Sequence, residues 1–249
     1  MSFYQPSEAL FVKKLNSIKD DVEKNDKVVL LRFLNTREQE LLQYVMGSKL
    51  FVSFSSFSEE DEYRRAFIAS FAMDVDFKII LAKLNYNKRY LIPNHRMILG
   101  AVMSYGLTRD SVGDIYITED NDIYIAFTKE IYQYIKKEFK TLSHQSVELE
   151  EVSHIDGMIK HNYLIKTDFI ASLRLDIVVA SMYNLSRKEA QEIVSEGRVK
   201  VNQKPIDNLS HQVRENDVIS IKGLGKMKVL EVGGLSKRDR LYVKLGKYM

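Results

Sequence analysis

The 249-residue chain contains no cysteine. That absence excludes disulfides, thiolate zinc sites and cysteine nucleophiles, and it suits a reducing cytoplasm. No apolar run reaches the roughly 18 residues of a membrane-spanning helix, and the opening stretch MSFYQPSEALFVKK does not read as a signal peptide. A glycine-rich phosphate loop is missing too: Gly223-Leu224-Gly225-Lys226 lacks the spacing and following Ser/Thr of a Walker motif. His154 and His161 lie on a segment of mixed polarity without a clear acidic partner, so they read as surface residues rather than metal ligands. There is no internal repeat and no low-complexity segment. What is present is ordinary for a folded protein, 45% hydrophobic and 29% charged, with a length for one large domain or two to three small ones.

Charge is unevenly spread. Residues 167–249 hold 15 Lys and Arg against 10 Asp and Glu, a net of +5, whereas the remainder holds 22 against 24, a net of −2. The last third is therefore the expected polyanion-binding part, with an affinity that falls steeply with salt.

Within that third, Ser186-Arg187-Lys188-Glu189 is a helix-opening capping box, with Leu185 and Ala190 placed for a hydrophobic staple. Ala190, Ile193 and Val194 mark one buried face, and Gly197 reads as the positive-φ residue that ends the helix. Arg187 and Lys188 occupy the first turn, where the helix dipole disfavours cations by about 0.3–1 kcal/mol each. Such a turn suits a phosphate, because free N–H groups and cationic side chains converge on one anion. In the strand that follows, Val199 and Val201 point inward, so Arg198, Lys200 and Asn202 are expected on the outer face, with Lys204 just past the turn. These cations are expected to surround one patch, the alternative being a solvated face. Gln191 and Asn202 are candidates for reaching bases or 2′-hydroxyls.

Residues 172–222 resemble the small RNA-binding domain first described in ribosomal small-subunit protein four. The resemblance rests on Arg174-Leu175-Asp176, Ser186-Arg187 and Gly197-Arg198-Val199-Lys200-Val201-Asn202 at their combined spacing. It implies binding to structured RNA by shape and phosphates, with Arg174, Ser186, Arg187, Lys188, Gln191, Arg198, Lys200, Asn202 and Lys204 at the interface. Asp176 reads as a positioning partner of Arg174 or a backbone cap. Lys237, Arg238 and Arg240, in a loop opened by Gly233-Gly234, either extend that surface or form a solvated turn.

The fold expected is α+β and multidomain. Residues 1–75 read as a mixed, mostly helical domain: Phe11, Leu15 and Ile18 at helical spacing, a capping box at Thr36-Arg37-Glu38-Gln39, an alternating strand at Leu50, Val52 and Phe54, and an acidic-first helix starting at Ser58 and containing Tyr63, Arg64, Arg65 and Phe67. Arg64 and Arg65 are there either solvated helix cations or phosphate contacts. Residues 76–152 read as βαββαβ, the ferredoxin-like order shared by RRM-like modules. Tyr116 and Tyr124 would either stack bases from adjacent strands or pack the sheet, and His95 is either buried and hydrogen-bonded or an RNA contact. Residues 153–171 read as a connector, linker or short strand, and 172–249 as the RNA-binding domain with further strands at 226–232 and 241–245.

The order of parts is similar to that of the YlmH family of bacterial RNA-binding proteins, whose gene often lies in a cell-division cluster. The resemblance is carried by His95-Arg96 before Leu99-Gly100-Ala101, then Gly106-Leu107-Thr108-Arg109 and Gly113-Asp114-Ile115, then the basic C-terminal domain. Ser55-Ser56 depart from it where a glycine pair is expected. The resemblance implies docking on the large ribosomal subunit, near translation rescue or quality control of stalled chains. The partners implied are rRNA or tRNA, with no cofactor, no membrane and a monomeric state. A pseudouridine-synthase reading needs a catalytic Asp in Gly-Arg-Leu-Asp, but here Arg174-Leu175-Asp176 follows Ser172-Leu173 and only 27 residues remain after Lys222. An RNA-modifying enzyme and a division-associated protein-interaction factor are the alternatives to a non-enzymatic RNA binder.

Overall fold

Asn35 opens the second helix of the chain: its side-chain oxygen accepts from Glu38 N at 3.1 Å, while the Glu38 carboxylate accepts from Asn35 N at 2.9 Å. The capping box thus starts one residue before the expected Thr36. Arg37 is then free to turn inward and pair with Glu8 and Glu40, both at 2.8 Å. The computed structural model describes residues 4–59, 61–160 and 163–248, and the chain divides into two compact units at Lys160/His161.

The first unit begins with α1 (Ala9–Asn25), β1 (Val29–Leu34), α2 (Thr36–Met46), β2 (Phe51–Phe54) and β3 (Arg64–Ala69). The three strands form one sheet in the order β1-β3-β2, against which α1 and α2 bury Leu15, Val22, Leu41, Leu42 and Met46. Among the described residues the helix expected from Ser58 is absent. Its acidic start is instead a turn in which Asp61 accepts from Phe57 N at 2.7 Å and Ser58 N at 3.2 Å. Residues 64–69 follow as the central strand, paired on both sides. Arg65 is neither a solvated helix cation nor a phosphate contact. It is buried and donates to Leu31 O at 2.8 Å, to Lys78 O at 3.0 Å and to Glu130.

A second sheet completes this unit: β4 (Ile79–Asn85), α3 (His95–Met103), β5 (Val112–Ile117), β6 (Ile123–Thr128), α4 (Lys129–Glu138), the small hairpin β7 (Thr141–Leu142) and β8 (Gln145–Ser146), and β9 (Glu148–Val152). The strand order β5-β6-β4-β9, all antiparallel, is the ferredoxin-like arrangement read from the sequence. Both helices cover one face, burying Ile98, Val102, Tyr132, Ile135 and Phe139 against Ala82, Ile125 and Phe127.

The other face is closed as well. Tyr116 and Tyr124 are 5% and 0% exposed and form a cluster with Leu81, Val152, Ile155 and Ile159. Tyr116 Oη donates to Asp61 at 2.7 Å, and Tyr124 Oη accepts from Asp156 N at 3.2 Å. Of the two readings, base stacking is thereby excluded at these tyrosines and sheet packing holds. The backbone of 158–160 is pinned by Glu119 N to Met158 O at 2.9 Å and by Lys160 N to Ile117 O at 2.7 Å.

The motif residues around 106–115 hold the two sheets together. A Cβ on Gly113 would meet the Phe33 ring at 2.7 Å. Asp114 accepts from Tyr63 N at 2.9 Å, and the Arg109 guanidinium lies 3.5 Å from the centre of the Tyr63 ring. These positions are structural.

The second unit comprises β10 (Tyr163–Ile170), α5 (Leu175–Tyr183), α6 (Arg187–Ser195), β11 (Val199–Val201), β12 (Lys204–Ile206), β13 (Val218–Ile221), β14 (Gly225–Leu235) and β15 (Leu241–Tyr248). Its six-stranded sheet runs β10-β15-β14-β13-β11-β12. Leu175, Val178, Val179, Met182, Ala190 and Val194 of the two helices pack on Val199, Ile219, Ile221, Val229 and Leu245. Of the open readings for residues 153–171, linker or strand, 163–170 take the strand. They pair with β15 at eight successive positions and so belong to this sheet. Gly197 has φ +69° as expected, with Gly197 N bonded to Val194 O at 2.9 Å and Arg198 N to Ile193 O at 3.2 Å.

Candidate nucleic-acid interface

The capping box at the start of α6 forms as the sequence indicates. Ser186 Oγ accepts from Glu189 N at 3.2 Å, and Glu189 accepts from Ser186 N at 2.8 Å, an interaction that holds the Glu189 carboxyl below its usual pKa. Arg187 and Lys188 are exposed on the first turn. Lys188 has one weak partner, Glu192 at 3.9 Å with the lysine 87% exposed, which contributes little to stability. Among the described residues the Arg187 guanidinium makes no hydrogen bond or ion pair, so its charge is available to a ligand.

Arg187 lines a cleft of about 410 Å³ bounded by β10, the end of α5, the start of α6 and the β14–β15 turn. Lys166 and Arg240 line it too, together with Asp168, Ser181 and Asn184. Lys166 Nζ donates to Ser181 O and, at 2.5 Å, to Asn184 Oδ1. Burial pushes the Asp168 carboxyl up. Hydrogen bonds from Ser181 Oγ at 2.6 Å and Phe169 N at 2.7 Å, with the charges of Lys166 and Arg240, outweigh it and leave the pKa below the usual value. Asp168 is therefore ionised at neutral pH, and three cations face one anion. Lys166 was missed because β10 reads as a polar connector; the signal was the alternation that puts Lys166 and Asp168 two apart on one strand face.

The cations expected to surround one patch do not all line this cleft. Arg198 and Lys200 are exposed but are not walls of the cleft, and α6 separates them from Arg187 by roughly 13 Å of helix axis. Arg198 also reaches Glu196 at 3.2 Å. Lys204 pairs with Val201 across the hairpin, so the register puts it on the face opposite Lys200. Asn202 does not share the outer strand face. It sits in the turn at φ +48°, donating to Asp217 at 2.8 Å and accepting from Val218 N at 2.8 Å, so its amide holds the loop instead of a base. Lys237 and Arg238 are exposed in the turn that Ser236 closes on Arg240 at 2.8 Å.

Asp176 is fully buried and grips Arg174 through two bonds, 3.0 and 3.2 Å. Gln191 donates to the same carboxylate at 3.2 Å, so its amide braces α6 against α5 rather than standing free for a base. Burial raises the Asp176 pKa, but the bonds from Arg174 and Gln191 and the Arg174 charge prevail and hold it below the usual range. The carboxylate is thus a positioning group and is unavailable for chemistry. Asp176→Ala is expected to destabilise this unit by about 2–3 kcal/mol in urea unfolding. Because the folded pKa is depressed, the Asp176 contribution is full above the ordinary carboxylate range and is lost as pH falls through the folded value; Asp176→Asn removes that acid-side dependence.

Among the described residues there is no cluster of three or more His, Asp or Glu able to hold a metal ion, and no helix is long and apolar enough to cross a membrane. Two family models match the chain: the putative RNA-binding domain in YlmH over residues 73–156, and the S4 domain over residues 173–219. The chain thus carries the two domains on which its resemblance to the YlmH family rests. Along nearly its full length it is similar to the Bacillus subtilis (strain 168) "Ribosome-associated protein quality control protein P2". The two are 29% identical over 242 residues, 95% of this chain and 94% of that protein. The fold resembles that of a solved "Cell division protein ylmH from Streptococcus pneumoniae", with a TM-score of 0.54 and 20% identity over 61% of this chain and 95% of that one. An "Uncharacterized RNA pseudouridine synthase" of Aquifex aeolicus (strain VF5) is 37% identical over 51 residues, only 20% of this chain and 21% of that protein. That similarity is confined to the S4 domain. The YlmH resemblance and the mixed, multidomain architecture with an S4-like end thus stand, and the RNA-binding character belongs to the family.

Proposed function

We propose that this chain is a non-enzymatic, cytoplasmic RNA-binding protein that docks on structured rRNA or tRNA of the large ribosomal subunit, in translation rescue or ribosome-associated quality control. The observation that carries the reading is the pair of cationic groups on the S4 unit. One is Arg187 with Arg240 and Lys166 in the cleft; the other is Arg198 with Lys200 on the strand after α6. Their phosphate contacts would fix register and orientation on a folded RNA, and Arg174, held by Asp176, would add a further cation. Lys188, Lys237 and Arg238 lie exposed at the margins of that surface. The full-length similarity to a protein named for ribosome-associated quality control supports the ribosomal part of the proposal. The burial of Asp176 and the short pseudouridine-synthase similarity both argue against RNA modification.

The test is ultraviolet cross-linking of the tagged chain to RNA in cells, paired with mass spectrometry of rRNA with and without the gene. Cross-links concentrated in large-subunit rRNA or tRNA, with rRNA modification unchanged, are the expected result. A missing modified base would establish an enzyme instead.

A further inference from the structure

We propose that the ferredoxin-like domain binds an unpaired stretch of RNA through the β4–α3 loop and the first turn of α3, residues 86–96, with Tyr90 as the stacking surface and Arg89 and Arg96 as phosphate contacts. This rests on the RNA-binding reading and locates a second contact, away from the S4 unit.

The usual base-stacking face of such a sheet is closed by Ile155 and Ile159 over Tyr116 and Tyr124, and the opposite face is covered by α3 and α4. An RNA contact in this domain must therefore lie off the sheet. The stretch from Phe77 to Arg109 contains six Lys and Arg and no Asp or Glu, although residues 73–156 as a whole hold 10 Lys and Arg against 13 Asp and Glu. Most of those six cations are already engaged: Lys78 with Asp76, Lys83 and Lys88 with Asp122, and Arg109 on the Tyr63 ring. Arg89 and Arg96 are exposed, and among the described residues neither guanidinium has a hydrogen bond or ion pair. Between them Tyr90 is 73% and Ile92 79% exposed.

The loop is held in place while these side chains are not. Tyr86 Oη donates to Asn121 O at 2.6 Å, and Lys88 Nζ donates to Asp120 O at 2.9 Å. Asn87 accepts from Arg89 N at 3.0 Å and from Tyr90 N at 3.2 Å, and Asn94 caps α3 by accepting from Met97 N at 2.9 Å. An aromatic ring on a fixed backbone, flanked by uncompensated cations, matches the combination that single-stranded nucleic acid requires: a π-face for a base and positive charge for the backbone. A purely protein-docking loop would not need the exclusion of acidic residues, and the charge complementarity favours RNA.

The experiment uses the full chain and two fluorescent RNA probes, a blunt hairpin and the same hairpin with a short oligo(U) tail. The tailed probe is expected to bind the unaltered chain more tightly. Tyr90→Ala removes that advantage, a loss of about fivefold or more, and leaves blunt-hairpin affinity unchanged, whereas Tyr90→Phe retains it. Absence of a tail preference, or identical behaviour of Tyr90→Ala on both probes, overturns the proposal; so does a Tyr90→Ala defect confined to capture of a protein partner. Arg187→Ala/Arg198→Ala separates the two readings. If it leaves hairpin binding intact while Tyr90→Ala abolishes the tail advantage, the S4 site fails and the loop stands. If it abolishes hairpin binding while the tail has no effect, the loop fails and the S4 site stands.

Discussion

Reversing two charges, Arg187→Glu with Arg198→Glu, is expected to weaken binding to structured RNA by more than about a hundredfold. Each residue supplies a charge-assisted contact worth on the order of 1.5–3 kcal/mol, and the glutamates add repulsion. Because the two sit at opposite ends of α6, the single effects should be nearly additive. The salt dependence should change as well. Each lost phosphate contact lowers the slope of log affinity against log salt by about one, so the double variant should be flatter by about two. Folding should be preserved, since both side chains are exposed and the capping box of Ser186 and Glu189 is untouched. Fluorescence anisotropy across a salt series measures both quantities. A large fall in affinity with an unchanged slope would mean that the pair acts through something other than phosphate.

The second large effect concerns the first unit and pH. Burial pushes the Asp114 carboxyl up to about 7, helped by Glu62 and Asp61, and only partly opposed by the bond from Tyr63 N and by Arg109. An aspartate whose folded pKa exceeds its unfolded value of 3.8 binds more protons when folded, so stability falls as pH rises from about 4 to about 8. The full loss is on the order of 4 kcal/mol. Asp114→Asn keeps an oxygen for Tyr63 N and removes the ionisation. It is expected to flatten the pH profile and to raise stability at pH 8, which thermal unfolding at several pH values would reveal. A wild-type profile that is flat between pH 5 and 8 would contradict this assignment.

The ferredoxin-like and S4-like domains were legible where local chemistry decides. The α6 box, Gly197 with its positive φ and the inward Val199 and Val201 depend on neighbours within a few residues, and all form as the sequence indicates. The βαββαβ order was readable from the alternation of apolar strands and amphipathic helices. Reading failed where a distant partner decides. Residues 64–69 are a strand because β1 and β2 flank them, and Arg65 is buried because Leu31, Lys78 and Glu130 supply acceptors from elsewhere in the chain. Lys166 enters the cleft only because β10 pairs with β15, whose residues lie far along the sequence. Gln191 and Asn202 looked like contacts to RNA until Asp176, Asp217 and Val218 proved to occupy their amides. Side chains that can bond either outward or inward cannot be assigned from spacing alone.

The connection between the S4 unit and the ribosome is tested most directly by cosedimentation of the full chain with separated ribosomal subunits over a salt series, beside the Arg187→Ala/Arg198→Ala variant. Selective binding to the large subunit that weakens with salt and is lost in the variant is the predicted result. Binding that is equal for the two chains, or that favours the small subunit, would contradict it.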